Sequence, residues 1–474
     1  MKRCVHLTVL ILAFVCASCA CISSRLASPF ADPDLILYPP LKFSLPKAQR
    51  FVLENGIIVH LLEDHEIPLV NISVVIRTGS VYDPDGREGL AELTGEVMRT
   101  GGTAPLSGNE VDETLEFIGG SLSISVDRDS GSVNLSILKK DMDEGLMILS
   151  GILQNPSFED DKLKLAKALK IEDLKRIGDN PQRLAFREFN RLIFQNNPRG
   201  RLPRISSVEK ITRDDLILFH KSYFSPRNIM MTITGDIAKD EAVRKIQHYF
   251  GAWHVPKTVT DSPPLPIRPE GRIYFLLKDI PQSIIIHGNH APSKKDADSY
   301  AFEVLDFILG SGGFRSRIFQ EVRSSLGLAY SAGSFYRSRS EYGIFGAYAI
   351  TGSESTAVVL SLIRSIIEDA KDNPVSMQEL DWAKNSINKS FIFSFLSARQ
   401  IARQQMMLEY DSLPDDYLIT YRDTIQKIFL EDVRFVAKKY LSFDRGVTLV
   451  VGNERAYHLL KSEFGEIHTM GGTL

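Results

Sequence analysis

The chain repeats itself, and the repeat limits what it can fold into. The stretch Ile211-Thr-Arg-Asp-Asp215 runs on through Lys221 and Tyr223-Phe-Ser225 to Gly235. Ile428-Phe-Leu-Glu-Asp432 runs on in the same way through Lys438 and Tyr440-Leu-Ser442 to Gly452, at a constant offset of 217 residues. Each copy reads as an amphipathic helix ending near the Tyr, a turn, and an apolar strand (229–234 and 447–451). A second match opens each half. Ile67-Pro68 precedes a strand at 69–77, and Ile280-Pro281 precedes one at 283–289, at an offset of 213. Two similar offsets at opposite ends of the span predict a duplicated unit of about 200 residues. A chain of 474 residues is long enough to close two such cores.

Within each half the coarse order is strand, helices, hairpin, helices, strand. In the first half 122–126 alternates, Asp127-Arg-Asp-Ser-Gly131 turns, and 133–138 alternates back. Helical periodicity runs from Asp160 to Ile177, and Asn180-Pro181 caps and opens the next helix. Strand runs followed by helices predict an α+β fold: two homologous domains, each a mostly antiparallel sheet covered by helices, forming a clamshell. The domains are placed at 49–252 and 271–474. The proline-rich stretch 253–270, with Pro256, Pro263, Pro264, Pro266 and Pro269, is the linker.

The N-terminus has a different character. Met1-Lys2-Arg3 is followed by an apolar run from Leu7 to Ala17, too short to span a bilayer comfortably, and then by small residues. Residues 1–24 therefore read as a secretory signal peptide, a short buried strand being the alternative. Cys4, Cys16, Cys19 and Cys21 all fall within it, which leaves lipid attachment at Cys19 or Cys21 open. Removal of the segment leaves a chain with no disulfide, no thiolate nucleophile and no cysteine metal ligand. Pro29, Pro33, Pro39, Pro40 and Pro46 make 25–48 an extended tether. The expected location is periplasmic or at the cell envelope. A formal net charge of -3 and the absence of basic runs with interleaved aromatics give no attraction to nucleic acid.

Between His65 and His220 there is no histidine. Inside that gap lie Thr78-Gly-Ser-Val-Tyr-Asp83-Pro-Asp-Gly86, then Gly89-Leu-Ala, Met98 and Gly101-Gly102-Thr103. These motifs resemble the insulinase/pitrilysin family of zinc peptidases, the inverzincins, and more closely its processing-protease-like branch. The resemblance implies a helix after Gly-Leu-Ala carrying His-x-x-Glu-His, with a further Glu completing the zinc ligands. Here the histidine positions are Glu92 and Glu96, and the catalytic Glu position is Gly95. Without the base, the usual route to an activated water is gone. Without both imidazoles, zinc binding is greatly weakened. Glu172 falls about where the third ligand would be, and alternatively is a solvated helix residue near Lys175. A weak calcium or magnesium site at Glu92, Glu96 and Glu172 is a further alternative, since those ions take oxygen ligands.

The second half carries the complementary signal. Gly310-Ser-Gly312-Gly313-Phe-Arg-Ser-Arg, then Arg323 and Gly327-Leu-Ala-Tyr330, is the most family-like stretch. The resemblance implies that an Arg and a Tyr at this spacing reach from the second domain toward the scissile bond. It also implies that in the processing-protease-like branch one subunit can keep the zinc motif while the other keeps the Arg–Tyr pair. This chain matches the second pattern at Arg323 and Tyr330. The alternative is that Arg323 pairs with a nearby Glu and Tyr330 belongs to the core. Gly310 to Gly313 lacks the following Gly-Lys-Ser/Thr of a phosphate loop and reads as the tight start of a helix. In the family an equivalent stretch can contact substrate. His287 and His290, three apart on or just after a strand, read as structural.

The expected function is therefore that of a non-catalytic subunit of an exported heterodimeric zinc metallopeptidase. It holds no metal itself, the zinc being expected in a homologous catalytic partner with intact His-x-x-Glu-His, and it binds extended peptide. Two other readings stand beside it: a cell-envelope peptide-binding or assembly protein with no proteolytic role, and an independently active peptidase with an altered site.

Overall fold

The structure is a computed structural model and describes residues 44–255, 263–266, 270–373 and 375–471. The segment read as a signal peptide, all four cysteines and most of the stretch read as a tether lie outside the described residues, as does part of the 253–270 stretch.

The strands of the first half are β1 (Gln49–Val52), β2 (Ile58–Glu63), β3 (Leu69–Ile76), β4 (Ser121–Val126), β5 (Gly131–Leu138) and β6 (Ile229–Gly235). Those of the second half are β7 (Arg272–Leu277), β8 (Gln282–Ala291), β9 (Ala329–Ser338), β10 (Gly343–Gly352), β11 (Val447–Gly452) and β12 (His468–Met470). They form two six-stranded sheets, ordered β1-β2-β6-β3-β5-β4 and β12-β7-β11-β8-β10-β9. Five strands of each sheet correspond one to one, including the single parallel pairing among them, β2 with β6 and β7 with β11. The outer strand breaks the likeness. β1 is antiparallel to β2 and comes from the start of the half, whereas β12 is parallel to β7 and comes from the end. Both sheets are mostly antiparallel and covered by helices.

The helices that matter to the site are α1 (Leu90–Thr100), α2 (Asp160–Lys175), α3 (Pro181–Phe194), α4 (Arg213–Tyr223), α5 (Ser299–Asp306), α6 (Met377–Phe391), α7 (Ala398–Tyr410), α8 (Tyr417–Gln426) and α9 (Leu430–Tyr440). Local chemistry sets their ends. The Asn180 side chain accepts from the Arg183 amide with Pro181 at the first turn, and the Thr212 side chain opens α4 with Asp215 in a capping box. The repeat reappears here, since α7 begins 217 residues after α3 and its cap Ser397 accepts from the Gln400 amide.

That pair of helices is exchanged between the halves. From α3, Ala185, Phe189 and Ile193 leave their own half and bury against Ile284, Ile286, Leu449 and Val451 of the second sheet. From α7, Met406 is fully buried against Val75 and Met230 of the first sheet. The exchange explains why β6 is buried along its whole length, on both faces. It also explains Gly288 in the middle of β8. A Cβ there would overlap the edge of the Phe189 ring, so only glycine lets the helix seat. Polar contacts extend the tie. Glu409 on α7 accepts from Arg50 at 2.8 Å and contacts His60 Nε2 at 3.1 Å. Gln405 donates to the Pro46 carbonyl and accepts from the Ala48 amide, both at 2.8 Å, fastening the end of the tether to the second half's helix.

The hairpin turn of the first half is held the same way. Asp129 accepts from Arg199 at 2.8 Å and from the Tyr342 hydroxyl at 2.6 Å, while Asp127 accepts from Arg339 at 3.1 Å. With both sheets sharing helices, the halves are expected to unfold together. The two tryptophans, Trp253 and Trp382, report one half each. Denaturant titrations of Trp253→Phe and Trp382→Phe are expected to give coincident fluorescence transitions. Adding Phe189→Ala to each is expected to shift both transitions by about 3–5 kcal/mol. Separate transitions would show that the exchanged helix does not couple the halves.

Candidate functional site

The helix expected to hold zinc is α1. It starts where Asp83 accepts from the amides of Gly89 and Ala91 at 2.7 and 2.8 Å. Asp83 is almost fully buried, and burial pushes its carboxyl up to about 7 although both amide donors pull it down. Leu90, Leu93, Val97 and Met98 face the core, which leaves Glu92 and Glu96 exposed on the other face, four residues apart.

The residues present do not fit a zinc site. Glu92 is bound by the Lys170 ammonium, with Nζ 2.7 and 2.6 Å from its two oxygens. A cation from α2 thus meets the carboxylate at the first ligand position. Glu172 pairs with Arg176 at 2.7 Å, one turn along its own helix, where Lys175 was the expected neighbour. Among the described residues no group of three His, Cys, Asp or Glu side chains stands close enough to share a metal ion. That also leaves no three-carboxylate set for calcium or magnesium.

Gly95 shows the deepest change. It is buried, and a Cβ built on it would lie 2.8 Å from Val126 Cγ2 and 3.5 Å from Ile124 Cγ2. The strand β4 has therefore closed over the position that the family's base would occupy. Only the absence of a side chain lets the helix approach this strand so closely.

In the second half the structure brings Arg323 and Tyr330 together. The Arg323 guanidinium carbon lies 4.8 Å from the centre of the Phe319 ring and 5.9 Å from that of Tyr330. Arg323 is exposed and has no ion-pair partner within 4.0 Å among the described residues, and Tyr330 is 76% exposed. Neither the ion pair with a nearby Glu nor the core position of the alternative reading is present. Both residues sit on local irregularities. Arg323 lies in a π-helical turn, Phe319–Ser325. Across from Tyr330 the register slips: Ser331 pairs with Ile350 and Ala329 with Thr351, so Tyr330 has no opposite residue. It is the extra residue of a β-bulge on an edge strand, a device that re-aims a side chain.

The glycine stretch spans the junction of two helical segments: Gly310 lies in a second π-helical turn, Phe307–Ser311, that continues α5, and Gly313 opens the short helix Gly313–Arg315, the tight start expected from the sequence. A Cβ on Gly310 would run into the β9 backbone at Ser334, and one on Gly312 would meet the Trp382 ring. Gly313, at φ +73°, makes the turn into Gly313–Arg315 with nothing near it. The histidines of β8 are structural. His287 is buried, stacked on Phe443 and bonded to Thr448 at 2.9 Å, and burial lowers its imidazole to about 4. His290 contacts the Ile193 carbonyl of the exchanged helix at 3.1 Å.

Sequence reasoning passed over Lys170 and Asp83, the latter within the Thr78–Gly86 stretch. The signal for Lys170 was a cation two residues before Glu172 on a helix packed against α1. Substitutions on α1 provide the test. Gly95→Glu is expected to destabilise the chain by about 1–3 kcal/mol because Val126 must move. Glu92→His with Glu96→His alone is expected to remain without stoichiometric zinc by elemental analysis. One equivalent of zinc in the unsubstituted chain would overturn this account of the site.

Comparison with known proteins agrees with this fold. The sequence profile of insulinase (peptidase family M16) matches residues 58–202, and that of the peptidase M16 inactive domain matches residues 210–387. An uncharacterized zinc protease of Rickettsia bellii is 24% identical over 370 residues, covering 77% of this chain and 86% of that protein. A protein of Helicobacter pylori named non-peptidase homolog YmxG is 25% identical over 400 residues, covering 83% and 91%. The fold superposes on the peptidase M16 inactive domain from Pseudomonas fluorescens with a TM-score of 0.79 at 23% identity, over 86% of this chain and 98% of that one. With its zinc helix emptied at Glu92, Gly95 and Glu96, the chain belongs to the insulinase family of peptidases as a non-catalytic member.

Proposed function

We propose that the chain is the non-catalytic subunit of an exported two-subunit zinc peptidase, and that it lends Arg323 and Tyr330 to the zinc site of a homologous partner with intact His-x-x-Glu-His. One observation carries this reading. The chain has closed its own catalytic position with Val126, yet it keeps a guanidinium and a phenol together, exposed and without an ion pair among the described residues, on a π-turn and a bulge.

The chemistry suits the role. A guanidinium offers five N–H donors and no acceptor, and a phenol adds an O–H. Both can hold a scissile carbonyl while its oxygen gains charge. In the assembled pair the zinc and its water belong to the partner, and this chain supplies positioning and charge stabilisation. The surroundings of the pair also favour docking. Phe314 is 74% and Leu326 52% exposed nearby in sequence, and aromatic and Arg side chains are typical interface anchors. The edge strands β4 and β9 offer backbone groups to an extended peptide, which such a clamshell of two subunits would hold by strand addition. Export rests on the signal-like residues 1–24, and no helix among the described residues is long and apolar enough to cross a membrane.

Co-expression with a homologue carrying His-x-x-Glu-His is the test. The chain alone is expected to cleave nothing, and the pair to cleave unfolded peptides. Arg323→Ala and Tyr330→Phe are each expected to lower the pair's kcat/KM by about 10- to 100-fold, or about 1.4–2.8 kcal/mol. The complex should elute unchanged on gel filtration. A stable pair whose turnover ignores both substitutions would remove the donated-residue reading. Failure to pair at all would favour an envelope binding protein without proteolytic role.

A further inference from the structure

Arg323 and Tyr330 belong to two separate irregularities, and one residue between them is tied to both. Leu328 lies after the π-helical turn Phe319–Ser325 and just before β9. Its amide donates to the Val322 carbonyl at 3.0 Å, inside that turn and one residue before Arg323. Its carbonyl accepts from the Thr351 hydroxyl at 2.5 Å. Its side chain packs against the core of the second half. Leu328 is thus fastened at its amide, its carbonyl and its side chain, with Tyr330 two residues beyond it.

Thr351 stands out on its own strand. One face of β10 presents Phe345, Ala347, Ala349 and Thr351 in turn, and the first three are fully buried core residues. Thr351 is 1% exposed, so a valine would fill the same space. What the hydroxyl adds is a donor, and it is spent on a carbonyl that lies outside the strand. Thr351 is also where the register slips, since it pairs with Ala329 while Ile350 pairs with Ser331.

The slip decides where Tyr330 points. In an unbroken ladder Tyr330 would stand opposite Thr351. Opposite residues share a face of the sheet, so the phenol would turn toward the buried side of Phe345, Ala347 and Ala349. Holding Leu328 in place keeps one residue too many in the first turn of β9, and Tyr330 stays outside the pairing.

We propose that Thr351 is a positioning residue for the Arg323–Tyr330 pair: its hydroxyl, through Leu328, holds the π-turn and the bulge in one arrangement. Being buried, it acts through Leu328 and not on a substrate. Groups that act together must be held within about 0.5 Å of their working geometry, and packed residues behind them do this. The functional half of this inference rests on the donated-residue reading above. The geometric half rests on this chain alone.

Two measurements test the two halves. Thr351→Val and Thr351→Ala remove the hydroxyl, and Thr351→Ser keeps it. In the full chain alone, hydrogen exchange at the Leu328 amide is expected to quicken by about tenfold or more in both hydroxyl-free variants and to stay unchanged with serine. Alanine serves as the judge if valine crowds Leu328 and fails to fold. Paired with the homologous subunit, the hydroxyl-free variants are expected to lower kcat/KM by about tenfold, with serine restoring it. In a chain already carrying Arg323→Ala and Tyr330→Phe, Thr351→Val is expected to change turnover no further, whereas a merely structural residue would lower it in both backgrounds. Unchanged exchange at Leu328 would overturn the proposal. So would turnover that ignores Thr351→Val in a pair that Arg323→Ala does slow. If Arg323→Ala and Tyr330→Phe both leave turnover intact, the donated-residue reading falls, and exchange at Leu328 still judges the Thr351 tie.

Discussion

The structure depends on the mutual exchange of α3 and α7. Each helix buries its apolar face on the other half's sheet, beside the core that each half builds from its own residues. Phe189 seated over Gly288 and Met406 against Val75 and Met230 are the two ends of this arrangement. Because the two helices correspond in the repeat, the exchange is nearly symmetric. The tie is largely apolar, and the polar contacts of Glu409 and Asp129 add to it across the halves. The hairpin β4–β5, held by Tyr342 and Arg339 of the second half, is thereby set in place over α1.

That placement decides the fate of the zinc helix. In a peptidase of this family the base must stand in open space beside the metal. Here β4 presses on α1 at Gly95, and Lys170 neutralises Glu92. The two changes support each other, since without a metal the carboxylate on α1 needs a cation and without a base the helix can pack closer. Restoring histidines alone would leave both obstacles. The loss is therefore built into the packing, whereas the Arg323–Tyr330 pair of the other half is held on a π-turn and a bulge that cost regular hydrogen bonding. One half thus keeps these irregularities while the other has closed its helix, which is the asymmetry on which the proposed function rests.

Much of this was legible in the sequence. The repeat, the hairpin at 121–138, the Asn180-Pro181 helix start and the strands at 229–235 and 447–452 are local patterns. Period-two alternation, a cap and a proline each act within a few residues. The substitutions at 92, 95 and 96 were equally plain. The glycine stretch was legible only in part: Gly313 opens a short helix, while the other glycines serve close packing. There Gly310 lies against β9 and Gly312 against Trp382, both distant in sequence.

The amino-acid sequence by itself determined the doubled α+β plan, the emptied ligand positions and the survival of an Arg and a Tyr in a family-like stretch. These follow from residue type and spacing. Only the tertiary structure decided that α3 and α7 cross over, since an amphipathic helix specifies a face to bury and not the sheet that buries it. It alone paired Lys170 with Glu92 and made Tyr330 the odd residue of a bulge. Each of these joins groups far apart in the chain, and only the closing of the core brings them within a few ångströms.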